Sequence, residues 1–146
     1  YYLTGEKPSE RRIRSRQTES PFLPLYISIE YKDREKLYEK INKRVDNMVA
    51  NGLIDEAHGY FALDNACTAS AAIGYKELAP YFDGVITLPE ALENLKRATR
   101  RYAKRQLTWY RNKEGIHRIY ADELPEGVSA ADEAEKIITE SGLFNR

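Results

Sequence analysis

The sequence is poor in the residues from which self-sufficient catalytic and metal sites are built. Among its 146 residues are one cysteine and two histidines, so an internal disulfide and a zinc-ligand set are excluded. The sequence also has no glycine-rich phosphate loop and no serine–histidine–acid set. We therefore expect no complete active site in this chain, and we interpret Cys67, His58 and His117 as structural residues.

Long apolar runs are absent too. No segment approaches the roughly 20 apolar residues that a membrane-spanning helix needs, so the sequence predicts no membrane insertion, and the single cysteine fits a reducing cytoplasm. The first residue is Tyr1 rather than methionine, and the segment from Tyr1 to Gly5 is typical of a helix end with a glycine cap. We interpret the chain as the C-terminal piece of a longer protein.

Charges cancel in total but are separated along the chain. There are 23 basic and 23 acidic residues. The segment from Thr87 to Lys113 nevertheless has eight bases and two acids, and the segment from Asp122 to Glu140 has seven acids and one base. After Glu93 the basic segment contains no acid that could compensate the repulsion between its bases, which indicates a polyanionic partner.

Periodicity predicts a mostly α-helical fold. The basic segment begins with a capping box at Thr87 and Glu90 and is predicted to be one helix. Its cationic face is predicted to contain Arg97, Arg101, Lys104, Thr108 and Arg111, and its buried apolar face Leu88, Leu92, Leu95, Tyr102 and Trp109. Further helices are predicted from Asp33 to Asn51, from Leu53 to Leu63 and from Ser129 to Ser141. The segment from Ala71 to Phe82 is predicted to be a short helix, or a turn followed by a helix, that Pro80 and the Asp83-Gly84 turn end.

Two short strands are predicted beside these helices, from Pro24 to Tyr31 and from His117 to Asp122. Because two short strands do not make a stable sheet alone, we expect them to join strands in an absent N-terminal part. Residues 1–20 are predicted to be a basic linker after a truncated helix, with a loop or short helix from Lys7 to Ser20. Residues 21–128 are predicted to form the main part and residues 129–146 an acidic helix.

Three groups of residues are candidates for binding. Arg44 lies at the border of an apolar stripe, where it can extend to water or grip a phosphate in a cleft. Gly74-Tyr75-Lys76 can stack on an unpaired base and hold its backbone, or can be a helix start with a core tyrosine. The segment from Lys104 to Arg111, KRQLTWYR, combines cations, an amide, a hydroxyl and aromatic rings within two turns, as single-stranded RNA recognition requires.

The motifs IGYKEL and TRRYAKRQLTWYR, with EKINKRVDNMVANGLIDE upstream, resemble the C-terminal half of bacterial tRNA dimethylallyltransferases, also called tRNA isopentenyltransferases. The resemblance runs from the first residues to the HRIYAD strand. It implies the C-terminal part of a P-loop-type α/β domain with helical additions. It also implies transfer of a dimethylallyl group from dimethylallyl diphosphate to N6 of the adenosine beside the tRNA anticodon, with the P-loop threonine and the aspartate general base upstream of Tyr1.

The same resemblance assigns roles to residues of this chain. Arg44 is similar to the arginine that holds the substrate diphosphate. The tRNA-binding residues it implies are Ala71, Ala72, Ile73, Gly74, Tyr75 and Lys76 in one segment and Lys104, Arg105, Gln106, Leu107, Thr108, Trp109, Tyr110 and Arg111 in another. Ala71 departs from the arginine or glutamine common at its position. The resemblance further implies Mg²⁺, without a ligand in this chain, and a monomer whose partners are the tRNA anticodon stem–loop and dimethylallyl diphosphate.

Three other functions stay open on the sequence alone. The first is an RNA-binding module without activity. The second is prenyl transfer to free adenine nucleotides, which would not need the KRQLTWYR helix. The third is a helical interaction module whose basic and acidic ends pair with each other or with a second copy.

Overall fold

A computed structural model describes residues 5–17, 22–61 and 73–142. The described residues form, in chain order, α1 (Pro8–Gln17), β1 (Tyr26–Glu30), α2 (Arg34–Ala50), α3 (Leu53–Phe61), α4 (Tyr75–Phe82), α5 (Leu88–Arg111), β2 (Ile116–Tyr120) and α6 (Ala130–Glu140). The prediction of a mostly helical fold with two short strands is confirmed. The predicted helix end before Gly5 and the connection from Asp64 to Ser70 lie outside the described residues.

The helix boundaries follow from capping interactions that the sequence predicted. Asp33 begins α2, and its carboxylate accepts a hydrogen bond from the Glu35 backbone N–H at 2.8 Å. At the start of α5 the Glu90 carboxylate accepts from the Thr87 backbone N–H at 2.8 Å. Each contact satisfies a backbone donor that the first helical turn leaves unpaired.

The predicted end of α4 at Phe82, before the Asp83-Gly84 turn, is confirmed, but Pro80 lies inside the helix and does not help to end it. The helix can pass the proline at the cost of one backbone hydrogen bond. The Pro80 carbonyl accepts a hydrogen bond from the Val85 backbone N–H at 2.8 Å, which holds the turn at Asp83-Gly84 that does end the helix. The segment from Lys7 is a short helix, α1, rather than a loop.

The two strands pair directly with each other and run parallel. Tyr26 lies opposite Ile116 and Glu30 opposite Tyr120. Among the described residues the sheet contains these two strands, and β2 begins one residue earlier and ends two residues earlier than predicted. The connection between them contains α2 to α5, which is long enough for a parallel crossover. Both ends of the helical segment therefore meet at one small sheet.

The core lies between α2, α3, α4 and α5. Its buried residues are Val45, Leu53, Ala57, Leu78, Ala91 and Leu95. Val45 and Leu95 are each 2% exposed, and they fix α2 against α5 through apolar contact. This contact positions the surfaces described below, because the candidate binding residues of α2 and α5 extend from the two helices that it joins.

The acidic helix α6 packs against β2. It begins at Ser129, whose backbone N–H donates to the Asp132 carboxylate at 2.7 Å, while the Ser129 hydroxyl accepts from the Asp132 backbone N–H at 3.2 Å. This reciprocal pair is a capping box and confirms the predicted helix. None of the helices in the described ranges is both long and apolar enough to cross a membrane.

Candidate nucleic-acid interface

The cations of α5 divide into those with polar partners and those without an acidic partner. Lys96 Nζ lies 2.6 Å from the Asp46 carboxylate of α2. Arg100 donates to the Asn42 side-chain oxygen at 2.7 Å and to the Glu93 carboxylate at 2.9 Å. The sequence shows no acid in α5 after Glu93, but α2 supplies one from outside the helix. The expectation that repulsion in the helix goes uncompensated is therefore wrong for Lys96 and Arg100.

Of the remaining cations, Arg97 lies in the first half of α5 and four lie along its second half. Arg101, Lys104, Arg105 and Arg111 are exposed, and within the described ranges none of them has a carboxylate within 4 Å. Such a cluster lowers its mutual repulsion when an anion binds. About three turns of α5 thus form a positively charged surface suited to phosphate groups.

Aromatic side chains lie within this charged surface. Trp109 is 77% exposed, and Tyr102 is 45% exposed with the Arg105 guanidinium 5.7 Å from its ring centroid. The prediction that both rings belong to a buried face is wrong, because neither ring is part of the core cluster in which Leu95 is buried. An exposed indole among cations is able to stack on an unpaired base.

The end of α5 is fastened to the sheet by residues that the sequence reasoning missed. Arg118 of β2 donates to the carbonyl oxygens of Tyr110 and Arg111 at 3.3 and 3.0 Å, and its Nε lies 3.5 Å from the Glu30 carboxylate of β1. A cation at the C-terminus of a helix satisfies its last carbonyl groups. In the sequence, Arg118 is a basic residue a few positions after the predicted helix. That position alone does not indicate that its side chain caps the C-terminus of the helix.

Arg44 lines a cleft between α2 and α5. The cavity has a volume of about 410 Å³ and is lined by Arg44, Val45, Met48, Ile73, Leu95, Thr99 and Tyr102. Arg44 is exposed and has no carboxylate partner within the described ranges. Arg44 is thus open to water and lines the cleft as well, so both alternatives for this arginine remain open. The other described residues that line the cleft carry no charge, so Arg44 is the charged residue among them.

The segment before α4 reaches the same cleft through Ile73. Gly74 has φ of +119°, a conformation that side chains disfavour, and its N–H donates to the Glu77 carboxylate at 2.9 Å. Tyr75 stacks on Tyr60 with ring centroids 4.9 Å apart. These contacts match the alternative of a helix-start glycine with a packed tyrosine. Ala71 and Ala72 lie outside the described residues.

The Tyr75 hydroxyl also donates to the Glu56 carboxylate at 2.6 Å. This hydrogen bond, with partial burial and the charge of Glu56, raises the pKa of Tyr75. One face and the polar tip of the ring are therefore occupied by α3. Lys76 is exposed and is the member of the Gly74-Tyr75-Lys76 triplet that remains open to a partner.

The described residues contain no group of three or more histidine, cysteine, aspartate or glutamate side chains able to hold a metal ion. His58 lies against Phe82, with ring centroids 5.4 Å apart, as a packing residue does. The described residues therefore contain no set of side chains that fits Mg²⁺.

Comparison with known proteins identifies relatives. The profile of a family described as IPP transferase matches residues 1–113. A tRNA dimethylallyltransferase from Halalkalibacterium halodurans is 47% identical over 115 residues, which are 78% of this chain and 36% of that protein. One from Streptococcus equi subsp. equi is 53% identical over 98 residues, 67% of this chain and 33% of that protein. The chain spans about a third of the length of these relatives.

Solved structures agree with this result. The crystal structure of a tRNA delta(2)-isopentenylpyrophosphate transferase from Staphylococcus epidermidis has a TM-score of 0.74 and 38% identity, covering 96% of this chain and 46% of that one. The structure of a full-length tRNA isopentenylpyrophosphate transferase from Bacillus halodurans has a TM-score of 0.72 and 39% identity, covering 91% and 44%. The described fold is thus similar to slightly less than half of each structure.

Proposed function

Because the chain belongs to the IPP transferase family, we propose that it supplies the tRNA-binding and diphosphate-binding parts of a tRNA dimethylallyltransferase. The complete enzyme transfers a dimethylallyl group from dimethylallyl diphosphate to N6 of the adenosine next to the anticodon. The P-loop and the general base belong to a part outside this chain. The observation that carries the proposal is the exposed cationic and aromatic surface of α5, next to a cleft lined by Arg44.

The charge distribution supports tRNA over a free nucleotide as the acceptor. A mononucleotide offers phosphates at one place, whereas Arg101, Lys104 and Arg111 are spread over about three turns of α5, or roughly 15 Å. A polynucleotide backbone presents phosphates over such a distance. Trp109 extends from the same helix and can stack on a base. We propose that Lys104 to Arg111 and Ile73 to Lys76, with Ala71 and Ala72, contact the anticodon stem–loop.

Arg44 is proposed to bind the diphosphate. Its guanidinium matches two phosphate oxygens at once, and negative charge grows on the diphosphate as the bond to the allylic carbon breaks. A fixed cation there stabilises the transition state more than the ground state. The apolar walls formed by Val45, Met48 and Leu95 lower the local dielectric constant and strengthen that interaction.

Mg²⁺ and a monomeric state are further parts of the proposal. Mg²⁺ would offset the charge of the diphosphate, with ligands from outside the described residues. The acidic helix α6 has no assigned role in transfer.

Transfer from labelled dimethylallyl diphosphate to an unmodified anticodon stem–loop tests the proposal. In the complete protein that carries this chain, Arg44→Ala should lower kcat/KM by about 100-fold, the usual cost of one charge-stabilising group, and leave stem–loop affinity unchanged. Lys43→Ala is the matched control, because Lys43 is an exposed neighbour that does not line the cleft. Equal losses of transfer and of RNA affinity in Arg44→Ala would refute its assignment to the diphosphate.

The same assay separates the proposed enzyme from an RNA-binding module without activity. Neutralising Arg101, Lys104 and Arg111 together should weaken stem–loop binding and lower the salt dependence by about one unit for each lost phosphate contact. Binding without transfer by the complete wild-type protein would favour the module. Transfer to free adenine nucleotides, with no preference for the stem–loop, would favour the nucleotide-prenylating alternative.

A further inference from the structure

The helices α2 and α5 pack antiparallel along a seam of complementary side chains. Asp46 pairs with Lys96 at 2.6 Å, and one turn further along Asn42 accepts from Arg100 at 2.7 Å. As residue numbers fall along α2 they rise along α5, which fixes the register of the two helices. Over these two turns Lys96 and Arg100, the cations of α5 that lie on the seam, each meet an oxygen acceptor of α2.

At the next turns of the seam the complementarity ends. Continuing the same register places Arg34, at the first position of α2, beside the second half of α5. A small hollow of about 40 Å³ lies there and is lined by Arg34, Leu37, Tyr38, Lys104, Leu107 and Arg111. Three of its six lining residues are cations, and they come from both helices. The other three give it a floor of apolar and aromatic groups.

Two acids near the start of α2, Asp33 and Asp122, are engaged by backbone N–H groups. The Asp33 carboxylate accepts from the Glu35 backbone N–H at 2.8 Å. Asp122 accepts from the backbone N–H groups of Lys32 and Asp33 at 2.9 and 2.8 Å. In the part of the chain that the structure describes, no carboxylate lies within ion-pair distance of Arg34, Lys104 or Arg111. Like charges that face one another across a seam repel unless an anion lies between them.

We propose that Arg34 joins Lys104 and Arg111 in binding one phosphate group of the RNA backbone. The proposal rests on the proposed tRNA substrate and extends its binding surface from α5 onto the start of α2. The hollow holds only one or two water-sized groups, which suits the oxygens of a single phosphate and excludes a base. The fork of Arg34 can bind two of these oxygens while Lys104 and Arg111 approach from the opposite helix.

The test compares Arg34→Gln with Lys40→Gln in the complete protein. Both substitutions remove one positive charge from α2, but Lys40 is exposed and lines none of the described cavities. Affinity for a labelled anticodon stem–loop is measured at several salt concentrations, and KM for dimethylallyl diphosphate is measured separately. Arg34→Gln should weaken RNA binding about tenfold and lower the slope of log K against log salt by about 0.7 to 0.9, the value for one phosphate contact.

Arg34→Lys should restore part of the affinity, and Lys40→Gln should change neither affinity nor slope beyond the effect of net charge. Equal RNA affinity and slope in Arg34→Gln and Lys40→Gln would overturn the inference and leave the proposed function standing. A raised KM for dimethylallyl diphosphate with unchanged RNA binding would assign the hollow to the diphosphate and also overturn it. Failure of the wild-type protein to bind the stem–loop would overturn the proposed function itself.

Discussion

Replacing Arg100 with alanine should destabilise the protein by about 2.5 kcal/mol, although Arg100 belongs to the basic helix. Its side chain is 21% exposed. Its two terminal nitrogens donate to Asn42 at 2.7 Å and to Glu93 at 2.9 Å, and its guanidinium carbon lies 5.9 Å from the Tyr38 ring centroid. The side chain therefore holds α5 against α2 through Asn42 and Tyr38, while its pair with Glu93 lies within α5.

The magnitude follows from these contacts. A hydrogen bond between a charged donor and a partly buried amide contributes about 1.5 kcal/mol. The pair with Glu93, which is 52% exposed, contributes about 0.5 kcal/mol after screening, and the ring contact about as much again at a partly exposed site. The sum is about 2.5 kcal/mol, a sizeable part of the roughly 5–15 kcal/mol that a domain usually has.

Urea unfolding of the wild type and of Arg100→Ala measures this difference. Arg97→Ala is the matched control, because Arg97 lies in the same helix, is exposed and has no carboxylate within 4 Å among the described residues. We expect it to change the free energy of unfolding by less than about 0.5 kcal/mol. If Arg100→Ala is no less stable than Arg97→Ala, the idea that Arg100 joins the two helices is wrong.

Two further predictions concern the binding surface and the start of α2. Trp109→Ala should weaken stem–loop binding by about 1 to 3 kcal/mol, the contribution of one stacked base. Because the ring is 77% exposed, thermal unfolding should not change. Loss of stability with intact RNA binding would contradict the stacking role of Trp109. Hydrogen bonds from the backbone N–H groups of Asp33 and Lys32 hold the pKa of Asp122 below its ordinary value of 3.8. A carboxyl group whose pKa is lower in the folded than in the unfolded protein stabilises the fold at pH values above the unfolded pKa. This contribution should be lost as the pH falls through the pKa of the folded state. Acid unfolding should therefore be less steep in Asp122→Asn than in the wild type, and equal slopes would contradict the role of the carboxylate.

Local signals in the sequence predicted the helices well. A capping box depends on residues three apart, so Thr87 and Glu90 indicate the start of α5 without any tertiary information. Strand pairing depends on chain segments far apart. The partner of β1 is β2, about 90 residues later in the chain, and no local pattern specifies that pairing.

The error at Trp109 shows why helical periodicity alone does not predict burial. Trp109 lies 14 residues after Leu95, which places it within about 40° of the same face. The face was therefore predicted correctly, but its burial depends on which elements lie beside it. Leu95 packs into the core of the α2–α5 helices, whereas toward its C-terminus α5 faces the sheet through Leu107 and Tyr110 instead.

The role of Arg34 was not visible for a related reason. It lies one turn before Leu37 on the line of the apolar stripe of α2, so the sequence could have indicated a cation that faces a neighbouring helix. Which cations it meets depends on the antiparallel register set by Asp46–Lys96 and Asn42–Arg100. In that register the basic residues of α5 fall into two groups with different roles. Those opposite oxygen acceptors of α2 hold the fold together, and those opposite Arg34 retain a positive charge that an RNA phosphate can neutralise.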